Sequence, residues 1–334
     1  MPNILFTCAG RRTYLLKYFK EQLAGDGLIV GADMQLTAPA LTAADIKEQV
    51  PAVYAPEYID RILEICLLHK IDAIISLNDL ELPLLAANAD KFRNIGTLPI
   101  VASPEIINIC FDKFLTAKFV ESIGLNSPKT YVNLNKAKDA INRGQLKFPL
   151  VLKPRWGSGS IGIEFVNNMV ELDEVYATLI KKVKKTILAN ASQGNEYILI
   201  QQKIDGQEYG LDVMNDLNGQ NRAVSVKKKL AMRAGETDKA QTIDSVPLRE
   251  IGFALGRTLK HIGNLDVDVF EENGTYYVLE LNPRFGGGFP FSYESGVNFP
   301  KAIIEWINGN EISESLLIPK YGMTFAKCDY LVEV

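Results

Sequence analysis

The chain has 334 residues, 47% of them hydrophobic, which is enough for two or three domains with ordinary cores. Its formal net charge of −4 argues against a broad nucleic-acid-binding surface. No apolar run approaches the roughly 20 residues that cross a bilayer, and the opening MPNILFTCAG lacks a basic leader, so we expect a cytoplasmic protein without membrane partners.

The first hundred residues alternate between apolar strand patterns and amphipathic helix patterns. This alternation predicts an α/β domain over residues 1–110, a Rossmann-like parallel sheet with helices on both faces. Ligands of such sheets bind at the carboxyl ends of the strands. In chain order, the sequence predicts a strand at 3–7, a helix at 11–23, a strand at 28–34, a helix at 58–70, a strand at 72–77 and a helix at 80–92.

Polar residues follow each of these predicted strands and are the first candidates for substrate contacts. Turn chemistry or helix capping is the alternative for each one, and Asp79 in particular could be the N-cap of the helix after it. The candidates are Gly10, Arg11 and Arg12 after the first strand, Asp33 after the second, and Asn78 and Asp79 after the third.

After residue 110 the pattern changes to short strands separated by turn glycines, which predicts an α+β region with largely antiparallel sheets. No internal repeat or low-complexity linker is present. A helix is predicted at 113–123, helical patterns lie near 135–144, 169–190 and 247–262, and strands are predicted at 148–154, 161–166, 197–202, 207–214, 223–229, 265–270 and 276–281.

A glycine-rich stretch, GSGSIG at 157–162, matches the spacing G-x-G-x-x-G. That spacing indicates a dinucleotide site only where a strand gives way to a helix, and here it separates two predicted strands. The sequence instead predicts a flap that covers nucleotide phosphates, with a tight structural hairpin as the alternative. A protein kinase is excluded because H-R-D and D-F-G are missing, and no Walker lysine follows the glycines. The expected contacts are Gly157, Ser158, Gly159, Ser160 and Gly162.

Two lysines flank this flap in the predicted fold. Lys153 ends a strand whose direction is fixed by Pro154, and Lys113 follows Asp112 at the start of a helix. Lysine is a compact, mobile point charge that suits phosphate oxygens. We expect both to contact phosphate, with ordinary surface charge as the alternative.

A candidate metal site lies near the end of the last predicted strand. Glu280 and Asn282 share one strand face and offer the hard oxygen donors that Mg²⁺ prefers, and Asp268 lies on the preceding strand. A two-residue turn at 273–274 would put Glu280 on the face opposite Asp268. A three-residue loop at 272–274, or an equivalent bulge, would bring the two carboxylates together. The metal hypothesis predicts the second arrangement.

The residues that follow these donors favour phosphoryl transfer. Arg284 can neutralise charge on a transferring phosphoryl group. The glycines after Phe285 include Gly287 and Gly288, whose backbone amides can approach an anion without hindrance from a side chain.

Taken in order, Lys113 in FDKF, Lys153 in VLKP, the flap, LIQQKIDGQEYGLDV and VDVF…VLELNPR resemble the ATP-grasp superfamily. The chain is most similar to the carbamoyl-phosphate-synthase-like branch, in which one grasp unit follows a small parallel-sheet domain. The resemblance covers nearly the whole chain. It implies a pre-ATP-grasp domain at 1–110 and a two-lobed ATP-grasp domain at 111–334, with lobes of about 111–198 and 199–334.

The resemblance also implies individual roles. The segment between the lobes would hold adenine through the main chain of Lys203 and Ile204, and Glu208 would bind the ribose. The charged stretch at 227–242 would approach the acyl phosphate or the substrate, with a disordered polar loop as its alternative. Gln201 stands where relatives often have Glu. The implied nucleotide contacts are Lys113, Lys153, Gln201, Gln202, Lys203, Ile204 and Glu208; the implied magnesium ligands are Asp268, Glu280 and Asn282; the implied catalytic residues are Arg284, Lys153 and Arg233; and Lys229 is a further substrate candidate.

The implied activity is that of an ATP- and Mg²⁺-dependent (or Mn²⁺-dependent) ligase, which joins a small-molecule carboxylate to an amine or thiol through an acyl phosphate. Because the chain has one grasp unit, bicarbonate and ammonia are poor candidate substrates. Two alternatives stay open: a carboxylate kinase or carbamoyl-phosphate-type synthase that stops at the acyl phosphate, and a non-catalytic nucleotide-binding regulator. A homodimer is also open. Such chemistry needs no side-chain nucleophile, so we expect structural roles for Cys8, His69 and His261.

Overall fold

The computed structural model describes residues 1–157, 162–191 and 196–334. The predicted flap contacts Ser158, Gly159 and Ser160 lie outside the described residues. Within these ranges no helix combines the length and the apolarity that a bilayer crossing requires.

The N-terminal part contains a parallel sheet with strand order β3-β2-β1-β4-β5, as its alternating pattern predicts. The predicted helix at 80–92 is instead two short helices that meet at Asn88. The elements are β1 (Ile4–Thr7), α1 (Thr13–Leu23), β2 (Ile29–Asp33), β3 (Ile46–Gln49), α2 (Tyr58–His69), β4 (Ala73–Ser76), α3 (Leu82–Ala87), α4 (Ala89–Asn94), β5 (Leu98–Pro99) and α5 (Pro104–Phe111), with a 3₁₀ turn at Pro39–Ala43.

A small antiparallel sheet follows, with strand order β6-β9-β7-β8. Helices α7 and α8 cover it with apolar side chains. The helical pattern at 169–190 divides into a long helix and a short one. The elements are α6 (Lys113–Ser122), β6 (Thr130–Tyr131), α7 (Leu134–Asn142), β7 (Leu150–Pro154), β8 (Glu164–Val166), α8 (Met169–Val183), α9 (Leu188–Ala191) and β9 (Ile198–Gln202).

The remainder forms a larger antiparallel sheet with strand order β14-β13-β10-β11-β12-β15. The stretch at 227–242 is a hairpin of β11 and β12 that turns at Ala234 and Gly235, so the disordered-loop alternative is wrong. The elements are β10 (Gln207–Asn215), β11 (Asn221–Arg233), β12 (Glu236–Thr242), α10 (Val246–Leu259), β13 (Gly263–Glu272), β14 (Thr275–Asn282), α11 (Phe289–Glu294), α12 (Phe299–Ile307) and β15 (Thr324–Ala326), with a 3₁₀ turn at Glu314–Leu317.

The large sheet has one apolar face and one charged face because successive side chains of a strand point to opposite sides. Leu211, Val213, Val267 and Val269 are fully buried in the core that the apolar face forms with α10. The other face, called the charged face below, carries Glu208, Asp212, Lys227, Lys229, Asp266, Asp268 and Glu280. The candidate site is built on this charged face.

The C-terminal helices return to the first domain and close the charged face on one side. Phe299 on α12 and Phe19 on α1 belong to one apolar core. Tyr18 on α1 stacks on Tyr293 of α11 with ring centroids 3.6 Å apart, and its hydroxyl donates to Glu294 Oε1 at 2.8 Å. The parallel-sheet domain therefore holds α11, and the glycines that precede it, in place over the large sheet.

Candidate active site

The β13–β14 hairpin brings the predicted metal donors together by a bulge. Its turn has only two residues, Asn273 and Gly274, both with positive φ. The pairing shifts between Asp268 and Val269, so that Asp268 lies directly opposite Glu280. The three-residue loop is thus wrong, and the equivalent bulge that the metal hypothesis allowed is confirmed. It places both carboxylates on the charged face.

Lys113 reaches one of these carboxylates, that of Glu280, from the first turn of α6. The carboxylate of Asp112 caps this helix by accepting from the backbone amides of Phe114 and Leu115, and Arg155 holds it with Nη2 2.7 Å from Oδ2. Lys113 Nζ lies 3.3 Å from Glu280 Oε1 and donates to the carbonyl of Gly157, where the predicted flap begins. Its side chain is only 8% exposed. A fixed cation therefore stands between the flap and the metal donors.

Lys153 contributes a second buried cation from the end of β7. Burial is the main cause that lowers the pKa of Lys153 to about 8; the charge of Glu280 opposes this shift, and the charge of Lys113 adds to it. Gly162 lies over the neighbouring Pro154: a Cβ at position 162 would lie 3.3 Å from the Pro154 ring. The described ends of the flap thus flank both lysines.

The segment between the two antiparallel sheets, at Lys203 and Ile204, has main-chain groups that the described backbone hydrogen bonds leave unused. Among the described residues, no backbone hydrogen bond involves the amides or carbonyls of Lys203 and Ile204. The side chain of Lys203 is paired with Asp205. The side chains of the preceding glutamines, at the end of β9, bond to the neighbouring segment of chain: Gln201 Nε2 donates to Thr130 Oγ1 at 2.8 Å, and Gln202 Oε1 accepts from Lys129 N at 3.4 Å. Main-chain contacts to a base are therefore compatible with this segment, whereas the Gln201 side chain is already engaged.

Lys229 joins the donors from β11. Its Nζ lies 2.6 Å from Asp268 Oδ1 and 2.7 Å from Glu208 Oε1. Burial raises the pKa of Glu208, and the Lys229 ammonium opposes that shift. Glu208, predicted to bind the ribose, and Asp268 therefore lie on either side of one ammonium group.

Arg284 connects the charged face to the parallel-sheet domain. Its Nη2 lies 2.7 Å from Asp79 Oδ2, and its Nη1 lies 3.8 Å from Asp266 Oδ2. The N-cap alternative for Asp79 is wrong, because the residue at the N-cap of α3 is Glu81 and its side chain caps nothing. The residue after Arg284, Phe285, is anchored in the core, with its ring centroid 4.6 Å from that of Phe289. Arg284 is therefore rigidly oriented.

A buried ion pair lies beneath this region. Lys227 on β11 and Asp212 on β10 are paired at 2% and 0% side-chain exposure. Asp212 also accepts from Ser292 Oγ at 2.5 Å and from Asn264 Nδ2 at 3.1 Å. Because Ser292 belongs to α11, the pair fixes that helix to the sheet.

The glycine segment before α11 passes close over Asp266. A Cβ at Gly286 would lie 2.1 Å from Asp266 Cγ, so this position requires glycine. Burial, and then the charge of Asp268, raises the pKa of Asp266 to about 7, although Arg284 lowers it. The close approach places Gly287 and Gly288 at the edge of the charged face.

A cavity of about 120 Å³ opens on this face. It brings together predicted substrate, metal and catalytic residues from both parts of the chain, and a small adjoining space adds Asp79, Lys113 and Gly157. The residues that line the cavity are Arg12, Lys229, Met232, Gly235, Glu236, Thr237, Asp266, Asp268, Glu280, Asn282, Arg284, Gly287 and Gly288.

Arg233, Arg11 and Gly10 are predicted residues that do not line the cavity. Arg233 is half-exposed at the tip of its hairpin and pairs with Asp238 and Asp329 at 2.9 and 2.5 Å. Arg11 is exposed, unlike its neighbour Arg12. Gly10 donates its backbone amide to Asp33 Oδ2 at 2.9 Å, which is turn chemistry between two strand ends. None of the three is placed to contact a ligand of the cavity.

Sequence reasoning missed four charged residues of the site. Two share the charged face with a predicted residue at a spacing of two, Lys227 with Lys229 and Asp266 with Asp268, and a third, Asp212, lies four residues from Glu208 on the same face of β10. Because alternate side chains of a strand lie on one face, this spacing could have identified these residues from the sequence. The fourth is Glu236, whose strand β12 was not predicted.

Glu236 lies at the mouth of the cavity. Its Oε2 would be 3.0 Å from a Cβ at Gly287, and Lys327 Nζ lies 3.2 Å from the same oxygen. Burial opposes ionisation, but Lys327, Arg12 and Arg284 outweigh it and lower the pKa of Glu236. It is therefore a stable anion on the solvent side.

The donor set fits Mg²⁺ only in partnership with a nucleotide. In the described ranges no three His, Cys, Asp or Glu side chains converge as a metal site of their own. Mg²⁺ commonly uses one or two carboxylates and takes its other oxygens from phosphates and water. Asp268, Glu280 and the amide oxygen of Asn282 meet that requirement.

Comparison with known families separates the part of the chain that forms the parallel sheet from the part that contains the antiparallel sheets. Residues 4–100 match the family described as PylC-like, N-terminal domain. Residues 146–290 match the family described as ATP-grasp domain. ATP-grasp enzymes use ATP with Mg²⁺, and ligases that form carbon–nitrogen bonds are among them.

A curated relative and two solved structures illustrate the likeness. The carbamoyl phosphate synthase large chain of Mesorhizobium japonicum is 25% identical over 227 residues, which cover 61% of this chain and 19% of the relative. The chain thus spans about a fifth of the length of that relative. A biotin carboxylase complex from Campylobacter jejuni has a TM-score of 0.77 at 16% identity, covering 97% of this chain and 74% of that one. An L-amino acid ligase from Bacillus licheniformis has a TM-score of 0.69 at 19% identity, covering 96% and 78%. The structural likenesses confirm the predicted fold: a parallel-sheet domain followed by antiparallel sheets.

Proposed function

We propose that this chain, an ATP-grasp protein with a PylC-like N-terminal domain, is an ATP-dependent ligase that joins a carboxylate to an amine (or thiol) through an acyl phosphate. The observation that carries the proposal is the pairing of Asp268 with Glu280 on the charged face. Lys113 lies on one side of that pair and Arg284 on the other, and both line spaces next to it. Such an arrangement suits phosphoryl transfer, which depends on positioning and on charge neutralisation.

The nucleotide would lie between the small and the large sheet. Lys113 and Lys153 would bind phosphate oxygens, and the main chain of Lys203 and Ile204 would hold the base. Glu208 would accept from the ribose hydroxyls. The flap at 157–162 would close over the phosphates.

The metal donors and Arg284 would act on the transferring group. Asp268, Glu280 and Asn282 would hold Mg²⁺ or Mn²⁺, which when bound neutralises phosphate charge. Arg284, oriented by Asp79, would stabilise charge on the phosphoryl group as it moves.

The carboxylate substrate would bind beside Arg12 and the amides of Gly287 and Gly288. Its oxygen attacks the γ-phosphorus, the bond to the bridging oxygen breaks, and ADP leaves. An amine that arrives as an ammonium ion first gives one proton to water, and its neutral nitrogen then attacks the acyl carbon. Phosphate departs with the oxygen that the acid supplied, and the nitrogen loses a second proton to water. Glu236 at the cavity mouth is placed to attract a cationic amine.

The test is a screen of pooled carboxylates against pooled amines that measures ADP release, with Glu280→Ala as the control. A ligase releases ADP only when both substrates are present, and the product has the mass of the two less one water. Hydroxamate formation without any amine would favour the carboxylate kinase instead. Nucleotide binding without turnover in any pool would favour the regulator, and equal ADP release from Glu280→Ala would refute the assigned site.

A further inference from the structure

Asp268, one of the proposed metal ligands, is already paired with a cation of this chain. The Nζ of Lys229 lies 2.6 Å from Asp268 Oδ1 and 2.7 Å from Glu208 Oε1. The Lys229 side chain is 8% exposed, and each carboxylate is 22% exposed. A divalent cation at Asp268 would have to share this oxygen with an ammonium group or displace it.

The sheet is built so that Lys229 can reach Asp268 across an intervening strand. Lys229 lies on β11 and Asp268 on β13, with β10 between them. The β10 residue that pairs with Asp268 is Gly210. A Cβ at Gly210 would lie 3.3 Å from Lys229 Cε, tighter than most contacts of real Cβ atoms. Because residue 210 has no side chain, the side chain of Lys229 has room to extend across β10 to Asp268.

The Lys229 ammonium is held between the carboxylates of Asp268 and Glu208. Glu280, directly opposite Asp268, is served by a different ammonium group, that of Lys113 at 3.3 Å. Each of the two metal-ligand carboxylates therefore has a cation of its own from the chain.

We propose that Lys229 is an internal counter-cation that competes with the divalent ion for Asp268, so that the ion binds with the nucleotide and not before it. The inference rests on the proposed function, since it takes Asp268 as a metal ligand. Nucleotide phosphates offer oxygens that a lysine ammonium on a flexible four-carbon chain can follow. When Lys229 turns to them, Asp268 is released to the metal.

The consequence is a coupling between two ligands of one site. If the nucleotide raises the affinity for the divalent ion, the ion must raise the affinity for the nucleotide by the same factor. Lys229 supplies part of this coupling, because its ammonium group competes with the ion for Asp268 only when no phosphate is present. Removing the ammonium should increase metal binding to the protein alone and shrink the coupling.

The experiment measures binding of Mn²⁺ to the full chain by the EPR signal of unbound Mn²⁺, with and without ADP. The variant is Lys229→Met, and the matched control is Lys228→Met, its neighbour on the opposite face of β11. Without ADP, we expect Lys229→Met to bind Mn²⁺ about tenfold or more tightly than wild type and Lys228→Met, a change equal to about 1.4 kcal/mol. With ADP present, the difference between Lys229→Met and wild type should fall below that seen without it.

The outcomes separate this inference from the proposed function. If Lys229→Met binds Mn²⁺ alone no more tightly than wild type, or if Lys228→Met gains as much, the counter-cation role is wrong even though the ligase proposal stands. If wild type binds no Mn²⁺ even with ADP, the metal site itself is wrong. Lys229→Gln is judged by the same criteria and replaces Lys229→Met if the latter loses the wild-type thermal transition.

Discussion

The buried pair of Lys227 and Asp212 gives the sharpest prediction of stability. Lys227→Met removes the ammonium group and leaves a carboxylate in a place that water does not reach, since Asp212 is 0% exposed. Breaking a buried ion pair from one side commonly costs about 3–5 kcal/mol, because the remaining charge loses its partner. The hydrogen bonds that Asp212 accepts from Ser292 and Asn264 remain in the variant. They place the expected loss near the lower end, at about 3 kcal/mol.

Thermal unfolding of the full chain at neutral pH measures this loss. For domains of this size, 1 kcal/mol shifts the midpoint by about 2–4 °C, so we expect a decrease of roughly 6–12 °C. Lys228→Met on the same strand should change the free energy of unfolding by no more than about 0.5 kcal/mol. The double variant Asp212→Leu with Lys227→Met removes both charges and should be less destabilised than Lys227→Met alone.

Two results would refute this reasoning. A midpoint for Lys227→Met within about 2 °C of wild type would mean that the carboxylate finds a partner or water that the static geometry does not provide. A double variant that loses the sum of both single losses would mean that the two side chains act independently. In either case the attachment of α11 to the sheet would have to be attributed to the apolar core instead.

Three further predictions concern ligand binding and turnover. Because burial lowers the pKa of Lys153 to about 8, this lysine loses its charge above that pH, and the affinity for ATP should there fall by up to about tenfold per pH unit. Measuring the affinity for the nucleotide as a function of pH checks this, and Lys153→Arg should flatten the pH profile. Gly286→Ala should reduce turnover severely while the chain stays folded, because its Cβ would lie 2.1 Å from Asp266 Cγ and must displace the glycine segment. Steady-state kinetics measures the loss of turnover, and a thermal melt shows whether the variant is still folded. Arg12→Ala should raise the KM for the carboxylate about tenfold or more, and Arg11→Ala should raise it far less, because of these two arginines only Arg12 lines the cavity. Equal increases of KM in the two variants would contradict the proposed position of the substrate.

The sequence predicted most of the fold because its core elements have strong periodicity. The strands β1, β2 and β4 are continuous apolar runs, and their helices bury one face each. The strands that were missed lack such patterns. Ile46–Gln49 alternates half-buried and exposed residues at a sheet edge, and Glu236–Thr242 contains only one aliphatic side chain, that of Ala240. Pairing with a neighbouring strand, which no local pattern encodes, makes these segments strands.

The composition of the site was predictable for a different reason. Side chains two apart share a strand face, and this rule alone groups Glu280 with Asn282 and would have grouped Asp266 with Asp268. Their register was not predictable to one residue, because a turn and a bulge can compensate each other. The sequence therefore left two pairings open, and the structure combines the short turn of one with the facing carboxylates of the other.

Arg233 illustrates where the prediction failed. Its choice depended on resemblance in the stretch at 227–242, without a strand to say which way its side chain points. In the structure it ends the hairpin, where Asp329 and Asp238 satisfy it. Lys229, from the same stretch, lies deep enough in the hairpin to reach the donors. Distance along the strand, rather than residue type, separates the two cations.

Lys227 and Lys229 stand two residues apart on the same face, yet we expect their replacement to affect different properties, stability for Lys227 and metal binding for Lys229. Lys227 and its partner Asp212 are 2% and 0% exposed, so each charge is stabilised by the other. Replacing Lys227 should therefore lower the free energy of unfolding. The partners of Lys229 are each 22% exposed, so water can solvate Asp268 and Glu208 when the ammonium is removed. Lys229→Met should therefore cost no more than about 1 kcal/mol of stability while metal binding rises. If Lys229→Met instead lowers the midpoint as far as Lys227→Met does, Lys229 is a second structural cation and its exchange with a metal ion is excluded.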